Sequence, residues 1–226
     1  MVFISEFYLS LLIVLAAGMA AGLALLLAAR RKKAIRVRIE EYCAGHGYRT
    51  EEIKQRLHRA TVIAGDGWRL TAGARASDVE TQSGSAYTVP YTQWETVPVS
   101  ETNTPLLWAG TAPGNAALLN NSLLPLLSLF GAADMEGMRA VPLEGALASR
   151  FALIARELPA LRSAGAELSA MLGDWPASMP LRIALGTGSI RIEIQGKRVD
   201  QPRDLDRIIG LGTRCMAYRS SVQSDI

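Results

Sequence analysis

Four groupings in this 226-residue chain have the residue types that chemistry needs. Gly186-Thr187-Gly188 could begin a phosphate-cradling loop, and Cys43 and His46 stand like half of a zinc site. Asp204 and Asp206 could offer two oxygens to a cation, and Ser85 or Ser189 could serve as a nucleophile. Each lacks what would complete it. A dinucleotide loop needs a third glycine and a helix opening there, but Arg191 holds that position in a strand-like alternation. Two ligands do not close a zinc site. Two acids at the start of a helix are expected from the macrodipole alone. Neither serine lies in a G-x-S-x-G elbow. The two histidines, His46 and His58, have no acids grouped with them to orient or activate them. No catalytic residue, metal or cofactor is expected.

One spacing does carry a mechanism. Gly18 and Gly22 form G-x-x-x-G; Ala16, Ala20 and Ala24 repeat the interval, and Ala17 with Ala21 makes a third row. Small residues four apart on a helix leave a groove that a second helix backbone can approach closely, which is how helices associate where no hydrophobic drive exists between them. The counterweight is composition. The chain is rich in Ala and uses 20 Arg against four Lys, the bias of a GC-rich bacterial genome, in which such spacings also arise by accident.

The segment that positions these rows is residues 7–29, 23 residues without a charge, followed by Arg30, Arg31, Lys32 and Lys33, then Arg36 and Arg38. As a helix the run is roughly 35 Å long, enough to cross a hydrocarbon core of about 30 Å. Nothing basic precedes it except the amino terminus. The positive-inside rule then places residues 1–6 outside and everything after residue 29 in the cytoplasm of a bacterial inner membrane. The acidic start, the long apolar run and its downstream basic flank argue for a permanent single-pass anchor over a cleaved signal. The six basic residues form a collar suited to anionic lipid headgroups.

Charge is divided unevenly. Residues 1–38 hold six Lys and Arg and one acid, giving +5; residues 39–226 hold 18 and 20, giving −2. The pI of about 9.0 therefore belongs to the collar, and nucleic acid is not an expected partner. Cys43 and Cys215 are read as buried free thiols, since a disulfide is disfavoured in a reducing compartment.

Beyond the collar, Ile35, Ile39, Tyr42 and Cys43 make one apolar stripe, so the helix should continue until Gly45-His46-Gly47. Residues 30–59 are read as collar and helices, with Thr50 capping a short second helix over residues 51–58. Asp66-Gly67 predicts a hairpin turn, and residues 87–96 a strand kept to a sheet edge by Pro90. A buried strand is expected at residues 106–109. Residues 115–133 are a second apolar run, too interrupted to span and read as a core or surface-lying helix. Strands at residues 151–157, 181–185 and 190–194, helices over residues 158–172 and 205–218, and a frayed tail at residues 220–226 complete the pattern.

The fold class that follows is α+β: one N-terminal transmembrane helix and a mainly antiparallel α+β domain over residues 60–219, as one sheet or as two subdomains near residues 60–110 and 140–219. Trp68, Trp94 and Trp108 are either core residues or a partner-docking surface. Three functions compete. The first is an accessory subunit of a larger integral membrane complex, respiratory or photosynthetic assemblies being the first to test, with integral membrane subunits or a second copy as partners. The second is a membrane-tethered ligand-binding or sensory domain with a pocket at the tryptophans. The third is an enzyme of unrecognised type, placed last for want of grouped catalytic residues.

Overall fold

The computed structural model describes residues 2–54, 59–76, 88–97, 103–111, 137–143 and 145–224, with side chains at residues 2–11, 13, 14, 59 and 76 left aside. The second apolar run, Ser85, His58 and residue 87 of the expected strand lie outside the described residues.

The chain begins with α1, one helix of 45 residues, Val2–His46. Its C-terminus closes as the glycines require. Gly47 adopts φ +70°, the Tyr48 amide donates to the Cys43 carbonyl at 2.9 Å, and the Gly47 amide reaches the Ala44 carbonyl at 3.3 Å. This pair of bonds is a Schellman cap, and glycine bears the left-handed turn without Cβ strain.

Among the described residues nine strands follow: β1 (Arg49–Lys54), β2 (Arg59–Gly65), β3 (Trp68–Ala76), β4 (Thr88–Thr96), β5 (Pro105–Thr111), β6 (Met138–Ala140), β7 (Phe151–Arg156), β8 (Leu181–Gly186) and β9 (Ile190–Gln195). Two helices are interspersed, α2 (Ala164–Leu172) between β7 and β8 and α3 (Pro202–Ser224) after β9. The strands form a single sheet in the order β1-β2-β3-β4-β9-β8-β5-β7-β6, antiparallel throughout. The mainly antiparallel α+β expectation holds. Strands from both halves of the chain interleave in this sheet, because β4 pairs with β9 and β5 with β8.

Register places one row across eight strands: Thr50, Ile63, Leu70, Trp94, Ile192, Ile183, Ala109 and Leu153. Side chains alternate in a strand, so this row and its i±2 neighbours make one apolar face. Against it pack Ile39 and Cys43 of α1, Leu168 and Leu172 of α2, and Leu205, Ile208, Leu211 and Cys215 of α3 in one cluster. Trp108, Ile154 and Ala184 form a smaller cluster on the opposite face.

Four local expectations are corrected. Residues 49–54 are not helical: they form β1, paired residue for residue with β2. The helix-like Thr-Glu-Glu signal yields to an exposed edge position, where charged side chains are tolerated and guard the edge. β4 is interior, not an edge. Pro90 is accommodated because the ladder with β9 begins at Tyr91, so nothing on that side demands its missing amide. The tail is not frayed either: α3 continues to Ser224, with Val222 buried and the Gln223 amide donating to the Thr187 carbonyl at 2.6 Å. The helix expected over residues 158–172 starts as a 3₁₀ turn, Pro159–Leu161, and becomes α only at α2.

Among the described residues no helix is long and apolar enough to cross a membrane. The side chains of α1 are described without interruption only from residue 15, and residues 15–29 give roughly 22 Å of helix.

Candidate functional site

The region richest in function-bearing side chains is the junction between α1 and the domain. The stripe of Ile35, Ile39, Tyr42 and Cys43 lies against the sheet, Ile39 at 5% exposure and Cys43 at 1%. The Tyr42 hydroxyl donates to Asp206 Oδ1 at 2.6 Å, tying α1 to α3. Burial and this carboxylate partner both push the Tyr42 phenol well above its ordinary value. His46 Nδ1 donates to the Tyr42 carbonyl at 2.8 Å. An aromatic run continues from Tyr42 through His46, Tyr48 and Trp68 to Trp94, with neighbouring centroids 4.4, 5.5, 5.0 and 6.1 Å apart. Such contacts contribute beyond their buried area and stiffen the join.

Above this join a cleft of about 840 Å³ opens between α1 and β1. Ala28 and Ala29 line it where the uncharged run ends. Arg31, Lys32, Lys33 and Arg36 line the helix wall, and Lys54 and Arg198 face them from the domain. Four acids, Glu40, Glu51, Glu52 and Asp200, share the lining. Arg36 bridges the walls, binding Glu40 at 2.8 Å on its own helix and Glu52 at 3.3 Å on β1. Lys54 reaches the same Glu52 at 2.7 Å, and these cations hold that carboxyl below its usual range. Arg198 Nη2 donates to Thr61 Oγ1 at 3.2 Å.

Comparison with protein-family models, curated proteins and solved structures gives no match.

The groupings singled out from the sequence are occupied by the fold. In the Gly186-Thr187-Gly188 turn, the Gly188 and Ser189 amides donate to Asn103 Oδ1 at 3.0 and 3.1 Å, the bonds an anion would have needed. Asp204 binds Lys197 at 3.2 Å and Arg207 at 3.3 Å, while Asp206 accepts from Tyr42. Among the described residues no three His, Cys, Asp or Glu side chains converge as a metal site. Cys43 and Cys215 are buried free thiols, and burial pushes Cys215 up to about 12.

The three tryptophans are buried in the described structure. Trp68 and Trp94 are buried in the helix-side core and Trp108 in the cluster on the other face, so the three line no common pocket. The small residues behave differently. Ala16, Ala17, Gly18, Ala20, Ala21, Gly22 and Ala24 are exposed, and a Cβ placed on Gly18 or Gly22 meets nothing within 4 Å. Of the collar, Arg31, Lys32, Lys33 and Arg36 line the cleft; Arg30 and Arg38 are exposed outside its lining.

Sequence reasoning missed Lys54 and Arg198 as partners of the collar. They enter only because β1 folds back beside α1 and the loop after β9 crosses the same edge, which no local spacing announces. It also missed a polar network on the open face of the sheet. There the buried Glu95 accepts from Arg69 and from Gln93 at 2.7 Å, and Arg75 binds the buried Glu193 at 3.1 Å.

Proposed function

We propose that this chain is a non-catalytic accessory subunit of a larger integral membrane complex, anchored by residues 7–29 with its N-terminus outside a bacterial inner membrane and its domain in the cytoplasm. The observation that carries this reading is the continuity of α1. An uncharged stretch with an uncovered row of small residues runs without a break into a stripe built into the domain core. A helix so arranged can pass the position of a neighbouring membrane helix directly to a folded domain. Anionic lipid headgroups at the collar complete the expected surroundings. Purification from native membranes in mild detergent tests the proposal. The expected result is a co-purifying integral membrane protein; migration as a lone monomer refutes it.

The cleft favours a second reading, a membrane-tethered ligand-binding domain. Its test is a soluble fragment, which must keep Ile35 because that side chain packs on the core. A cut at residue 29 that yields a monomeric, ligand-competent domain supports this reading. An aggregating fragment returns the weight to the subunit proposal.

A further inference from the structure

We infer that the cleft between the collar and β1 is a defined binding site for the phosphate of an anionic phospholipid headgroup. The inference rests on the membrane placement proposed above.

Position comes first. The cleft is lined by Ala28 and Ala29 at its upper end, the last two residues of the uncharged run, and by cations immediately below them. A phospholipid has the same profile, apolar above and anionic below. Free phosphate shares the anionic chemistry but leaves the apolar upper wall without a role.

The cations also come from three separate places in the chain. Arg31, Lys32 and Lys33 project from α1, Lys54 from the end of β1, and Arg198 from the loop after β9. A bare collar would attract headgroups diffusely, with contacts that salt screens. A two-walled cleft instead surrounds one headgroup and defines a stoichiometry. Its six basic and four acidic residues leave an excess of two positive charges. Two of the acids, Glu40 and Glu52, are already held by Arg36 and Lys54. Arg31, Lys32 and Lys33 form no ion pair within 4 Å among the described residues, although Lys32 is near enough to Glu52 to help hold its carboxyl down; their donors can turn to phosphate oxygens. The volume lies within the range of sites that enclose most of a small ligand.

Native mass spectrometry of the full chain in detergent, after addition of phosphatidylglycerol or phosphatidylcholine, tests the site. The expected result is one retained phosphatidylglycerol, favoured about tenfold over phosphatidylcholine. The double substitution Lys54→Ala with Arg198→Ala should cut that retention by about tenfold, since each basic residue contributes separately to anionic binding. Arg182→Ala, on the open face of the sheet, should leave it unchanged. Both altered positions in the double variant are exposed, and an unaltered melting temperature shows that it folds.

Equal retention of the two lipids overturns the inference. So does a double variant that retains phosphatidylglycerol as the wild type does, because the collar alone would then suffice. If millimolar inorganic phosphate raises the melting temperature of the wild type but not of the double variant, without any lipid preference, the site belongs to a free phosphate compound and the lipid assignment fails. The two proposals fail separately. A lone monomer that keeps its lipid sinks the subunit role alone; a co-purifying partner with a lipid-indifferent cleft sinks the lipid site alone.

Discussion

The two ends of α1 are the same helix under opposite conditions. From residue 15 to residue 34 every described side chain is exposed, Leu23 at 60% and Leu25 at 73%. From Ile35 to Cys43 the apolar positions are sunk into a core shared with α3 and the sheet. The lower end needs a stripe, because one face meets protein and the other meets water. Residues 15–29 carry no charge on any side, the pattern of a helix with apolar surroundings on all sides rather than on one.

The largest effect that separates the two ends is a paired truncation. Ile39→Ala should cost about 2–4 kcal/mol of domain stability, as buried isoleucines do. Leu23→Ala should leave it within about 0.5 kcal/mol. Denaturant unfolding of the full chain in detergent, followed by tryptophan fluorescence, measures both; equal losses would erase the distinction.

Gly212→Ala probes the helix that receives the lower end. A Cβ there would press into the ring of Trp94, a side chain with 0% exposure that cannot retreat. Overpacking of this kind costs about 1–3 kcal/mol and should depress the melting temperature accordingly.

Alkaline titration sharpens the same contact. Burial raises the Cys215 thiol from 9.0 to about 12, so the fold favours the neutral form. The stability this contributes is complete below pH 9 and is lost as pH rises towards 12, at about 1.4 kcal/mol per pH unit. Tyr42, raised by burial and by Asp206, adds a loss of the same sign above its ordinary value of 10.0. Cys215→Ala should flatten the decline from pH 9 in a series of pH-dependent melts.

Tyr42→Phe removes only the hydrogen bond to Asp206, a half-exposed contact worth about 1 kcal/mol. Gly22→Ile should change domain stability least of all, because its surroundings in the chain are empty. The same substitution should nevertheless abolish co-purification of a membrane partner, which pull-down from native membranes would detect.

The sheet was legible in the sequence wherever alternation was local. The Leu181, Ile183, Leu185 and Ile190, Ile192, Ile194 series gave β8 and β9, and the glycines placed the end of α1 correctly. What failed was tertiary override. Residues 51–58 read as a helix because Thr50 and the glutamates suit a helix start, yet residues 49–54 extend because β2 offers a full ladder. Pro90 read as an edge because the sequence does not reveal that β9 stops one residue short of it. The cleft was half legible: its helix wall is a basic run, but Lys54 and Arg198 join it only through strand pairing and the path of a distant loop. Asn103, which fills the turn at Gly188, lies 85 residues from its amide partner.

Because α1 runs unbroken from the small residues to the Schellman cap, its two working faces are fixed in angle. At about 100° per residue, Gly18 and Gly22 point roughly 60–100° around the axis from Ile39. A neighbour lodged against those glycines would descend along the flank of the domain. One residue added between the two ends would swing that neighbour by about 100° and lift it about 1.5 Å without breaking either contact. Residues 30–34 therefore set a compass bearing, and in the proposed assembly their number would matter as much as their charge.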